Sequence, residues 1–178
     1  MNSAVPHAER SWSVALLVFA LVYVALYSGY MWLPDRLLVE TIYYRGIVAP
    51  GAALIHLIAP ADLVQGVDNR LVSGATVLEI VRGCDGAGVF FLLVAAIIAV
   101  RGTMGKIAWG VVGAIILVYL ANQLRIVILY FVVRGHGDWF VPLHSYVFPT
   151  LFVLLGLAYF SFWVGMKDTG RDGLASAA

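Results

Sequence analysis

A thiol, a guanidinium and an imidazole stand out from an otherwise apolar chain of 178 residues. Cys84, the sole cysteine, sits in Gly83-Cys84-Asp85-Gly86; Arg125 follows Asn122 within a long apolar run; His144 opens another. A cysteine attacks carbonyls as its thiolate, and the ordinary thiol pKa of about 8.5 falls beside a cation or a helix N-terminus. Imidazole moves protons near neutral pH, and a guanidinium is a fixed cation able to hold an oxyanion or a carboxylate. Together these are the nucleophile, general acid/base and stabiliser of a cysteine acyl-transfer site. Arg82 and Gly86 flank the thiol, and Asn122 shares a helix face with Arg125 at i, i+3. Asp85 is the discordant member, since a carboxylate beside the nucleophile opposes thiolate formation unless it pairs with Arg82.

Each residue also has a simpler reading. A lone cysteine is commonly a buried, inert thiol. An arginine in an apolar helix can snorkel to the headgroups, and a histidine at a helix mouth can merely anchor it. His56 and His136 have no matching partner and read as structural or solvated.

Composition sets the class. Hydrophobic residues make up 62 % of the chain and charged residues 12 %, with mean hydropathy +0.95, which describes a polytopic membrane protein. A net charge of +1 gives no basic surplus for nucleic acid. One cysteine allows no internal disulfide. No metal set or cofactor is expected.

The elements that must position these residues are helices. About four crossings are expected, near residues 14–33, 86–100, 107–133 and 144–166, in a single membrane-embedded domain. The first run is too long, and lacks the cleavage pair, for a removed signal peptide. Tyr30 and Trp32 suit an interfacial belt at its end. Residues 34–83 carry half of the acids and read as an outer interfacial region, with surface helices broken near Pro50 and a small β-hairpin around Asp68-Asn69, between Leu63–Val67 and Leu71–Ile80. Pro149 is a candidate kink.

Basic residues set the orientation. Arg10, Arg101, Lys106, Lys167 and Arg171 crowd into roughly half the chain length that holds Arg36, Arg45, Arg70, Arg82 and Arg134, which puts both termini in the cytoplasm. Cys84 and His144 then lie at outer helix ends, with Arg125 roughly 12 Å inside the outer end of its helix. An arginine at such depth costs up to about 3 kcal/mol and is a functional candidate for that reason.

At these residues the chain resembles the exosortase/archaeosortase family of membrane transpeptidases. The match rests on Gly83-Cys84-Asp85-Gly86, Asn122-Gln123-Leu124-Arg125-Ile126 and His144-Ser145-Tyr146-Val147-Phe148, in order and at alternate ends of three crossings, over roughly residues 76–156. The resemblance implies a bacterial inner-membrane enzyme with its site facing the periplasm. Its substrates would be exported proteins ending in a short motif such as Pro-Glu-Pro, a hydrophobic helix and a basic tail. Cys84 would form a thioester, Arg125 would hold the oxyanion or the substrate's acidic residue, and His144 would shuttle the proton. With about four crossings the chain looks like a compact subfamily. Two other classes compete: a non-catalytic membrane assembly or binding protein locked by Arg125 and Asn122, and a thiol oxidoreductase, which would need a second thiol or a cofactor.

Overall fold

The structure, a computed structural model, describes residues 7–100, 102–135 and 137–166, with side chains from residue 12. Arg101, His136, Lys167 and Arg171, and the side chain of Arg10, lie outside the described residues. The chain is an all-α polytopic membrane protein with one small sheet. Its helices are α1 (His7–Met31), α2 (Asp35–Ile58), α3 (Ala87–Ala99), α4 (Met104–Gly135) and α5 (Gly137–Gly165). By length and composition α1, α2, α4 and α5 could each cross a membrane, whereas α3 has 13 residues.

Side-chain contacts give the directions. Trp12 to Val18 share a hollow with Ile98 to Val100, while Tyr30 at the other end of α1 meets Asp85 and Phe91, so α1 and α3 run antiparallel. Trp163 Nε1 donates to the Lys106 carbonyl at 3.0 Å and Tyr159 to that of Gly110 at 2.7 Å, so α5 runs antiparallel to α4. A Cβ on Gly110 would collide with the Trp163 indole, and its absence lets these two helices close. α2 instead follows α4 in the same direction, with Ile42 beside Ile115 and Tyr119, Gln123 at Gly46 and Ile47, and Gly51 beside Ile126. α1 and α2 therefore point the same way, joined only by Trp32, Leu33 and Pro34. Two such helices cannot both traverse one slab of about 30 Å. α2 continues where α1 stops.

α4 explains what α2 covers. Its 32 residues span about 48 Å, well beyond the hydrocarbon thickness. The C-terminal part is sheathed by protein, with Ile126, Leu129 and Tyr130 in one core with Leu38, Val48 and Ile55 of α2 and Leu71 and Leu78 of the sheet. That sheet is an antiparallel meander, β1 (Gln65–Val67), β2 (Arg70–Ser73) and β3 (Thr76–Glu79), paired Gly66 to Leu71 and Leu71 to Leu78. The expected hairpin thus gains a third strand. Arg134 Nη1 to Asp62 Oδ2 at 2.8 Å and Tyr130 to the same carboxylate at 3.1 Å tie the end of α4 to the turn before the sheet.

The expected break at Pro50 is absent. Residues Leu38–Val48 widen into a π-helix, with the Ala49 amide bonding the Tyr44 carbonyl five residues back, and the helix runs on through the proline. Proline supplies no N–H to the turn before it. Gln123 Nε2 compensates, lying 3.2 Å from the Gly46 carbonyl and 3.4 Å from that of Ile47. The buried amide of α4 replaces the donor that the sequence of α2 lacks.

Candidate active site

Cys84 lies in the turn between β3 and α3. Gly83 and Gly86 both adopt positive φ, +88° and +80°, conformations that suit glycine. At Gly86 a side chain would also meet Val118 at 3.1 Å, so its absence sets how closely the turn approaches α4. The turn presents the half-buried thiol to α4 and α5.

His144 comes from a second widened turn. Residues Leu143–Val147 form a π-helical segment just before Pro149, with the Phe148 amide bonded to the Leu143 carbonyl. The kink expected at Pro149 is thus a local widening, and insertions of this kind recur at functional sites. The imidazole stacks on Phe140, ring centroids 5.0 Å apart.

Arg125 is only 6 % exposed. Its guanidinium lies 5.9 Å from the rings of both Phe148 and Phe152, within the range of cation–π attraction. Counted from Met104, it stands about 32 Å along α4. Protein buries it, with α4 continuing ten residues further under α2 and the sheet.

The three side chains meet. Cys84 Sγ is 3.3 Å from His144 Nε2, and Arg125 Nη2 is 3.3 Å from His144 Nδ1. Arg125 also points Nη1 and Nη2 at the carbonyls of Cys84 and His144, both at a long 3.5 Å. A guanidinium only donates, so Nδ1 must accept, and a neutral ring then carries its proton on Nε2, facing the sulfur. Arg125 and His144 border a cavity of about 390 Å³, lined also by Tyr23, Gly83, Gly86, Ser145 and Phe152, with Cys84 behind the His144 ring.

Burial and charge act in opposite directions on the thiol. Burial pushes the Cys84 thiol up, with Arg125 pulling the other way and Asp85 adding to the rise. Desolvation thus acts against the cation beside the thiol.

No family model, curated protein or solved structure matches this chain. Its own geometry has to carry the chemistry. Among the described residues no three His, Cys, Asp or Glu side chains converge as a metal site would require.

The supporting residues divide. Arg82 and Asp85 do not pair. Arg82 instead binds the carbonyls of Tyr30, Met31 and Leu33 and the Asp35 carboxylate at 2.8 Å. Asp85 accepts the Tyr30 hydroxyl on Oδ2 and the Ala87 amide at 3.1 Å on Oδ1. Tyr30 is thus a buried partner of the site turn instead of a belt residue, whereas Trp32 is 89 % exposed. Asn122 is buried one turn below Arg125 and lines a second cavity, of about 400 Å³, with Asp85, Gly86 and Phe90. Its Oδ1 has no partner within the described protein. Gln123 and Tyr30 were missed as positioning residues. A glutamine on one helix that serves a proline turn in another element, more than seventy residues away in the chain, leaves no local signal.

Proposed function

We propose that the chain is a membrane-embedded cysteine transpeptidase or protease that removes a C-terminal sorting tail from exported proteins, as the resemblance to exosortases and archaeosortases implies. The observation that carries this reading is the linear set of Cys84 Sγ, His144 and Arg125, with 3.3 Å at each step, of which His144 and Arg125 line one open cavity together with Gly83 and Gly86 of the cysteine turn. The antiparallel order of α1, α3, α4 and α5 supports both termini on one side of the membrane, and the density of basic residues in the sequence assigns that side to the cytoplasm, with the site at the outer face of a bacterial inner membrane. The substrate is an exported protein bearing a motif, an apolar helix and a basic tail, and the surrounding lipid holds that helix beside the site.

Arg125 gates the first step. While its Nη2 donates to Nδ1, the ring keeps its proton on Nε2. A substrate carboxylate draws the guanidinium away from the ring, water from the cavity gives Nδ1 a proton as Nε2 releases its own to water, and Nε2 is left free to accept. The thiol proton passes to Nε2 and the sulfur attacks the scissile carbonyl carbon, the C=O π pair moving to oxygen beside Arg125. Collapse breaks the C–N bond, and the leaving amine takes the proton from Nε2. An acceptor amine or water then attacks the thioester and frees the thiolate, which recovers its proton through the same ring.

Cys84→Ala tests this in membranes expressing the chain with an exported protein that ends in a motif, an apolar helix and a basic cluster. The variant should insert normally and abolish tail removal, and the wild type should accumulate a hydroxylamine-labile adduct on Cys84. Normal processing by the alanine variant would sink the assignment. In that event Arg125 and Asn122 would be helix-locking residues of a non-catalytic assembly protein.

A further inference from the structure

One residue of α1 grips the Cys84 turn from both sides, and the reaction above does not use it. Tyr30 donates its hydroxyl to Asp85, immediately after the cysteine, and its backbone carbonyl accepts Arg82 Nη1 at 3.0 Å, two residues before. The Arg82 guanidinium also lies 5.6 Å from the Tyr30 ring centroid. The ring packs edge-on against Phe91 of α3, and its hydroxyl stands 3.1 Å from that of Tyr43, which is 2 % exposed. The remaining Asp85 oxygen accepts the Ala87 amide in the first turn of α3, where the helix end favours a negative charge. Both carboxylate oxygens are therefore engaged away from the sulfur.

The charges facing Cys84 make this placement matter. Arg125 approaches from α4 and His144 from α5, while Arg82 and Asp85 flank it in its own turn. From α1, Tyr23 lines the cavity; Asp35 of α2 pairs with Arg82, and Tyr43 of α2 backs Tyr30. Asp85 is the only acid beside the sulfur in this set, and a carboxylate's opposition to a thiolate grows as the two approach.

We propose that Tyr30 is a positioning residue for Cys84: it holds the Asp85 carboxylate against α1 and the first turn of α3, keeping that charge off the sulfur and fixing the nucleophile between Arg82 and Asp85. The role rests on Cys84 being the nucleophile, but its test needs no substrate.

Because Cys84 is the only cysteine, alkylation of the full chain in nanodiscs with iodoacetamide, followed across pH, reads this thiol alone. Tyr30→Phe keeps the ring and releases the carboxylate. It should raise the alkylation midpoint by about half a pH unit, or slow alkylation about threefold at a fixed pH below the midpoint. Adding Asp85→Asn should return the midpoint to the wild-type value or below, since the amide can still accept from Ala87. A purely structural tyrosine would lower the melting temperature without moving the midpoint. An unmoved midpoint in Tyr30→Phe, or a shift that Asp85→Asn fails to reverse, overturns the proposal. If Tyr30→Phe does not fold, Tyr43→Phe loosens the same hydroxyl and should give a smaller upward shift; no shift there overturns it as well. The two readings fail separately. Processing that survives Cys84→Ala removes the proposed activity and leaves the pH response intact, whereas Cys84-dependent processing with an unresponsive midpoint removes only Tyr30.

Discussion

In α2 the turn before Pro50 widens into a π-helix and a buried side chain of α4, Gln123, takes the carbonyls of Gly46 and Ile47. In α5 the turn before Pro149 widens in the same way, and a second buried side chain of α4, Arg125, faces the His144 carbonyl and imidazole. The sequence logic is shared: a proline that cannot donate, a widened turn, and a polar residue from the central helix filling in. The outcomes diverge in what surrounds them. Gln123 is enclosed between α2 and α4, with Gly51 beside it, and joins two helices. Arg125 borders an open cavity, and the ring it contacts reaches the only thiol in the chain. A buried polar residue in a membrane helix is thus no signature of function by itself. What sets Arg125 apart is a cavity at its side and a thiol within reach of the ring it contacts.

Exchanging the two residues' roles is the strongest way to break this comparison. Arg125→Gln should leave the protein inserted and folded while lowering tail removal by about a hundredfold or more, as loss of an oxyanion donor does elsewhere. Comparable processing by this variant would reduce Arg125 to the status of Gln123. Gln123→Leu should do the reverse, lowering stability by about 1–3 kcal/mol because two carbonyls lose their donor. Its iodoacetamide reactivity at Cys84 should stay near wild type. A thermal melt read beside an alkylation rate separates the two residues.

The smallest expected effect is in the pH profile. Burial raises the Cys84 thiol, so the thiolate fraction and the alkylation rate rise with pH, with a midpoint above that of free cysteine. Arg125 opposes the rise, so removing its charge in Arg125→Gln should move the midpoint further upward, whereas Gln123→Leu should not move it. A midpoint below that of free cysteine in the wild-type chain would mean that the cations, and not desolvation, govern the thiol.

Much of the candidate site was legible in the chain because its parts are exceptions to an apolar background. Cys84, Arg125 and His144 announce themselves by type, and the Gly83 and Gly86 turn by composition. Asp85 was legible as a problem without its solution, since its partner Tyr30 is 55 residues away and looked like an interfacial aromatic. α2 was read as broken helices because proline's missing donor is a local fact, whereas its compensation by Gln123 lies 73 residues further along the chain from Pro50. The third strand followed from residues already marked as strand formers, and only pairing revealed the turn at Gly74 that separates β2 from β3.

By itself the sequence determined the membrane class, the helical content and the identity of the candidate site side chains, because hydropathy and residue chemistry are properties of single residues and short windows. The tertiary structure alone decided that the thiol, ring and guanidinium stand within hydrogen-bonding reach and that α1 and α2 share one direction. It also decided that Tyr30, and not Arg82, holds Asp85. These are contacts between residues tens of positions apart, selected by which helix faces bury together, and no local pattern encodes that choice.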